Sequence, residues 1–131
     1  LTIAQYELPI KLVVFNNSSL AMVRLEQQVA GLPFEGTEVT NPSFAALAEA
    51  IGIKGIRVEK PDDLASALEE AFAHSGPVLV DAVTDPNALS LPPHTTFTQM
   101  KGFALSMAKL VLSGEGGTVL DEMRGNVKTL L

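Results

Sequence analysis

Two apolar runs rich in β-branched residues, IKLVVF at residues 10–15 and PVLVDAV at residues 77–83, constrain this chain more than any other feature. Runs with so little polar alternation suit strands covered on both faces, the pattern of parallel sheets flanked by helices. The segments around them carry helical spacing. Residues 1–8 read as the end of a helix that Pro9 stops, and residues 20–30 (LAMVRLEQQVA) as a second helix. Residues 31–40 form a Gly- and Pro-bearing connection long enough to carry function. Asn41-Pro42 supplies a cap residue and a first-turn proline for a helix that puts Phe44, Leu47, Ala48 and Ile51 on one face and ends at Gly52. A short strand at 56–58 follows. Pro61 opens another helix, with Leu64, Leu68 and Phe72 directed inward and Gly76 behind its end. Strand, helix, strand, helix, strand at this spacing predicts parallel pairing through right-handed crossovers. The fold class is therefore α/β: an open three-layer sandwich around a mostly parallel sheet.

After Asp85-Pro86 the character changes. A proline-rich connection (Leu91-Pro92-Pro93) leads to residues 95–112, where Phe97, Met100, Ala104, Met107 and Val111 recur at helical spacing. Ser113 to Gly117 (SGEGG) reads as a loop, and Thr118 with Asp121 as a capping box for a last helix carrying Leu120, Met123 and Val127. Two regions follow: an α/β body over 1–86 and a helical segment over 87–131.

Charge is divided unevenly between them. The net charge of the 131 residues is −6, yet no acidic residue lies between Pro86 and Gly114, where Lys101 and Lys109 give +2 and leave −8 for the rest. An acidic chain does not neutralise phosphates, so no nucleic-acid partner is expected. With no cysteine, thiol nucleophiles, Cys-ligated zinc, iron–sulfur clusters and disulfides are excluded from these residues. No uninterrupted apolar run is long enough to span a bilayer. The chain opens on Leu1 rather than Met, inside a helical pattern, as a piece of a longer polypeptide would.

In open α/β sheets, ligands settle outside the carboxyl ends of the strands, where a loop turns into a helix N-terminus that holds an anion. Asn16-Asn17-Ser18-Ser19 occupies that place. Its amides and hydroxyls are hard oxygen donors of the kind a magnesium-bound phosphate takes, and they equally suit a plain turn with an N-cap. His74 and His94 have no spacing that would join them in a metal site or a triad, and read as surface residues. SGEGG lacks the Lys-Ser/Thr of a phosphate loop and reads as a flexible connection. Asp62-Asp63 and Glu69-Glu70 suit a solvated helix face. Asp81, an acid inside a buried strand, needs a partner or a place at the strand end, and is structural by default.

The string VVFNNSSLAMVRLEQQ resembles the end of the cofactor motif of thiamine-diphosphate-dependent enzymes of the acetolactate synthase and pyruvate oxidase group. In that group a Gly-Asp-Gly closes one strand, a helix follows, and a double Asn closes the next strand. GPVLVDAVTDPNALSLPP followed by QMKGFALSMAKLVLSGEG is similar to the carboxyl-terminal part of the pyruvate oxidase branch, in its quinone-reducing bacterial form, a peripheral membrane flavoenzyme. The resemblance covers residues 1 to about 126.

It implies that Asn17 is a side-chain ligand of Mg, that the Ser19 carbonyl is another, and that Ser18, Ser19, Leu20, Ala21, Met22 and Val23 wrap the diphosphate and approach the thiazolium. No residue here is expected to act as an acid–base catalyst. Met22 departs from the aromatic residue that some quinone-linked members carry at its place and matches the acetolactate synthase branch. Residues from about 88 to 131 correspond to a lipid-binding terminus, in keeping with the acid-free stretch. The Gly-Asp-Gly element would fall before Leu1, so the chain is expected to be a truncated diphosphate-binding domain with C-terminal helices, inactive by itself. The implied parent enzyme converts pyruvate to acetate and carbon dioxide on Mg–thiamine diphosphate and passes electrons through FAD, bound elsewhere, to a membrane quinone. It would be a homo-oligomer, a tetramer in this branch, cytoplasmic and peripheral on the inner face of the bacterial membrane. The alternatives are an acetolactate synthase-like enzyme and a non-catalytic module that docks on a membrane or partner.

Overall fold

A computed structural model of the chain describes residues 1–33, 35–88 and 96–130, with 125–130 described by their helical backbone alone. The chain falls into two compact units. Residues 1–17 and 40–84 form the first, and residues 18–39 and 85–131 the second.

The first unit is an α/β sheet unit. Strands β1 (Lys11–Asn16), β2 (Lys54–Val58) and β3 (Val78–Val83) lie in the order β1-β3-β2, and both pairings are parallel. Register places Val14 and Arg57 on either side of Asp81. Helix α1 (Thr2–Gln5) precedes the sheet, α3 (Phe44–Ala50) precedes β2, and α4 (Leu64–Ala73) joins β2 to β3 after a 3-10 turn at Pro61–Asp63. Side chains alternate across a strand, so the two helices serve different faces. Val78 and Val80 pack with Val58 and with Ala67 and Ala71 of α4. On the other face, α3 buries Ala45 and Ala48 and comes so close to β2 that a Cβ on Gly55 would lie 2.1 Å from the Ala45 carbonyl oxygen. Helix, sheet and helix make the expected three layers, with β3 the buried centre.

Several local expectations are corrected. β1 is not covered on both faces: it is an edge strand, and Phe15 is 76% exposed. The cap of α3 is Ser43, whose Oγ accepts from the Ala46 N–H at 3.2 Å, because Asn41 is committed elsewhere. The buried face of α4 is Ala67 and Ala71, while Leu64 and Phe72 are exposed, since the helix approaches the sheet on its small residues. His74 ends α4 at the surface, as expected, and its carbonyl accepts from Lys11 Nζ.

The second unit is helical, built from α2 (Ala21–Val29), α5 (Phe97–Leu112) and α6 (Gly116–Leu130). The buried residues of α5 are Ser106 and Leu110, not the stripe of Phe97, Met100 and Val111, all three exposed. That difference of about one residue is a rotation of the helix by roughly 100°. It follows from Gly102, where a Cβ would stand 1.9 Å from the Val29 carbonyl oxygen, so α5 meets α2 on its smallest residue. Ser106 Oγ donates to the Leu32 carbonyl at 2.6 Å and Lys109 Nζ to the Gly31 carbonyl at 2.7 Å. The capping box lies at Thr96 and Gln99 at the start of α5, and Thr118 is inside α6, which begins at Gly116. His94 and the Leu91-Pro92-Pro93 connection lie outside the described residues. Among the described residues, no helix is long and apolar enough to cross a membrane.

Candidate functional site

β1 and β3 end together, and the carboxyl end of β1 carries the Asn16-Asn17 pair. The two asparagines are not equivalent. The buried Asn16 side chain donates from Nδ2 to Asp81 Oδ1 at 3.0 Å, and its Oδ1 accepts from Asn41 Nδ2 at 2.9 Å. Its main-chain carbonyl accepts from the Thr84 N–H at 3.0 Å. Both ends of that amide are therefore spent inside the first unit.

Asp81 has the partners its place in a buried strand requires. Beyond Asn16, its Oδ2 accepts from the Phe44 N–H at 2.9 Å and from Arg57 Nη1 at 2.8 Å, and the residue is fully buried. Arg57 also donates from Nε to Glu59 Oε1 at 2.8 Å. The Glu59 hydrogen bond, opposed by partial desolvation and then helped by Asp81, holds the guanidinium pKa above its ordinary value. Neither Arg57 nor Asn41 stands out as a site residue in the sequence: Arg57 lies in a short strand with no motif around it, and Asn41 has the place of a helix cap. The only advance signal is the acid at position 81.

Asn17 follows, half-buried, as the last residue of the first unit. Ser18, the first of the second, has φ of 50°, a left-handed conformation uncommon outside glycine and one that marks a specially held turn. Within the second unit, the Ser18 carbonyl accepts from the Val39 N–H at 3.1 Å and the Leu20 N–H donates to the Thr37 carbonyl at 2.7 Å. Ser19 and Glu38 form an antiparallel bridge, so residues 37–39 of the long connection lie along 18–20. α2 then starts with Leu20 at its cap and no side-chain capping hydrogen bond. The plain N-cap that Asn and Ser could have supplied is not what forms. Instead, the amide end of the α2 dipole emerges beside exposed Leu20, Met22 and Val23.

The first turn of α2 also holds a buried ion pair missed from sequence. Arg24 Nη2 pairs with Glu122 of α6, and both side chains are 3% exposed. Gln28 Nε2 donates to the two Glu122 oxygens at 3.0 and 3.1 Å, and Arg24 Nη2 also donates to Asn87 Oδ1 at 3.3 Å. Nothing in the spacing of Arg24 and Glu122, ninety-eight positions apart, signals the pair.

A thiamine diphosphate–Mg group asks for hard oxygen donors beside amides that take a diphosphate. In the first unit Asn17 carries an amide oxygen, and in the second the Ser19 carbonyl and the start of α2 supply a further oxygen and amides, so each unit holds residues of the kind the group takes. Among the described residues, no cluster of three or more His, Asp or Glu side chains could hold a metal.

Residues 1–82 match the family model of the C-terminal, thiamine pyrophosphate (thiamine diphosphate)-binding domain of thiamine pyrophosphate enzymes. YdaP of Bacillus subtilis, named as a thiamine pyrophosphate-containing protein, is 43% identical over 108 residues, covering 82% of this chain and 19% of that protein. The acetolactate synthase large subunit of Porphyra purpurea is 40% identical over 109 residues, covering 79% of this chain and 18% of the subunit. The mitochondrial acetolactate synthase of Schizosaccharomyces pombe is 37% identical over 83 residues, or 63% of this chain and 12% of that enzyme. This chain belongs to the thiamine pyrophosphate enzyme C-terminal domain family. It spans about a fifth of the length of the first two relatives. The resemblance seen in the sequence holds at the level of the cofactor family; the comparisons do not single out the pyruvate oxidase branch.

Proposed function

We propose that these residues are the diphosphate-binding part of a longer enzyme that decarboxylates pyruvate on Mg–thiamine diphosphate and passes two electrons through FAD to a membrane quinone, releasing acetate and carbon dioxide. One observation carries the cofactor assignment. Residues 1–82 match the thiamine pyrophosphate-binding family, and in them Asn17 follows the carboxyl end of β1 while α2 after it starts without a side-chain cap.

Thiamine diphosphate, when bound, supplies a carbanion-stabilising thiazolium for cleavage next to a carbonyl. The chain's own residues bind and orient. Asn17 Oδ1 and the Ser19 carbonyl would hold Mg, and residues 18–23 at the start of α2 would take the diphosphate, with the Leu20 N–H already given to Thr37. The exposed Leu20, Met22 and Val23 would offer the cofactor an apolar surface. FAD is bound outside these residues.

The pyruvate oxidase branch draws support from the carboxyl-terminal region. It is acid-free between Pro86 and Gly114, and it exposes Phe97 at 82% and Leu112 at 86%. Apolar side chains of this kind could enter a lipid surface, with Lys101 and Lys109 adding a weak attraction to anionic headgroups. The enzyme would then sit as a homo-oligomer on the inner face of the cell membrane. A second reading, acetolactate synthase, is favoured by the names of several relatives and by Met22.

The test is made on the full-length enzyme. Asn17→Ala is expected to weaken Mg-dependent thiamine diphosphate binding, read calorimetrically, by at least about tenfold; wild-type affinity in that variant would remove the cofactor assignment. Product analysis decides the branch, since acetate with quinone reduction supports the first reading and acetolactate the second.

A further inference from the structure

We infer that Asp81 is a positioning residue for Asn17: through Asn16 and together with Asn41, it sets where the Asn17 oxygen stands toward Mg. The inference rests on the reading of Asn17 as a metal ligand. Asp81 lies on the central strand and is fully buried. Its carboxylate cannot turn, because Oδ2 is held by the Phe44 N–H and Arg57 while Oδ1 takes the Asn16 amide. Asn16 in turn is held at both ends of its side chain and at its carbonyl, by Asp81, Asn41 and Thr84. These hydrogen bonds tie both the side chain and the peptide group of Asn16, from which residue 17 continues. The next residue is Asn17, and after it Ser18 adopts its left-handed conformation.

Packing alone would not ask for this arrangement. An apolar side chain at position 81 would fill the sheet without desolvating a carboxylate, and buried ionic groups are weak sources of stability. A metal ligand, in contrast, must be held to within about 0.5 Å, and polar groups behind the ligand are what hold it. The network of Asp81, Asn16 and Asn41 holds the residue that immediately precedes the proposed ligand.

The experiment compares Asp81→Asn, Asn41→Ala and Asn17→Ala in the full-length enzyme. Mg is titrated calorimetrically in the presence of thiamine diphosphate, and thermal unfolding is followed without either. Asn41→Ala removes one clamp on Asn16 and leaves the buried carboxylate intact. It is expected to need about tenfold more Mg for half-saturation while its unfolding midpoint, though lowered, stays above the temperature of the titration, and Asp81→Asn at least as much. If Asp81→Asn does not fold, Asn41→Ala decides alone. Wild-type Mg dependence in Asn41→Ala, with Asn17→Ala impaired, would overturn the positioning role while leaving the cofactor assignment standing. Wild-type Mg dependence in Asn17→Ala would remove both.

Discussion

At the scale of single residues, a carboxylate in the middle of a sheet is costly to bury, and Asp81 offsets that cost with three donors. Replacement by Leu keeps the branched shape, in a larger side chain, but strands two of them, the Asn16 Nδ2 and the Phe44 N–H. We expect Asp81→Leu to lose about 2–4 kcal/mol of unfolding free energy, measured by urea denaturation. Arg57 is different, because its side chain is 37% exposed and can turn to solvent. Arg57→Gln should cost less, and the loss should shrink as salt is added. Its raised pKa keeps Arg57 charged at every pH below its ordinary value, so its contribution is lost only far into the alkaline range and gives no slope near neutrality. The sequence marked Asp81 as needing a partner but could not say which, because the three donors come from residues 16, 44 and 57. Equally, the sequence offered Asn41 as the cap, whereas α3 starts at Phe44, Ser43 caps it and Asn41 donates to Asn16.

Among elements, the recurrent feature is close approach on small residues. α3 meets β2 at Gly55, α4 meets the sheet on Ala67 and Ala71, and α5 meets α2 at Gly102. Hydrophobic spacing alone favoured the largest side chains for the inner face of α4, and there it put Leu64 and Phe72 on the wrong side. Gly102→Ala is expected to cost about 1–3 kcal/mol, since the added carbon overlaps the Val29 carbonyl and must push α2 and α5 apart. Phe72→Ser, at a side chain 71% exposed, should stay within about 0.5 kcal/mol. Paired melting curves of the two variants check both statements, and equal losses would contradict the observed helix faces. The ion pair between α2 and α6 gives a third expectation. Glu122→Ala leaves Arg24 charged and buried and should cost about 3–5 kcal/mol, with most of the loss recovered in the double variant Arg24→Met/Glu122→Leu. Chemical unfolding of the two variants provides the comparison.

For the molecule as a whole, the chain crosses between its two units at residues 17/18, 39/40 and 84/85. The Asn-Asn-Ser-Ser motif lies at the first of these positions. Its amide half closes a strand of the sheet unit, and its hydroxyl half opens the helical unit. The acid-free stretch and the exposed side chains of α5 belong to the second unit, on which the proposed membrane role depends. Liposome flotation of the full-length enzyme, intact and cut back to end at Pro86, tests that role. We expect loss of vesicle association in the shortened form; equal flotation of the two would refute it.

The sequence by itself determined the class of fold and the cofactor family. Both are written in local signals: unbroken apolar runs, helix punctuation, and a contiguous string from Val13 through Gln28 that carries the motif. Tertiary structure alone decided that Asn16 meets Asp81 and Asn41, which faces of α4 and α5 are buried, and that Arg24 meets Glu122. Each of these depends on groups far apart along the chain, and on how closely two backbones can approach, which hydrophobic periodicity does not encode.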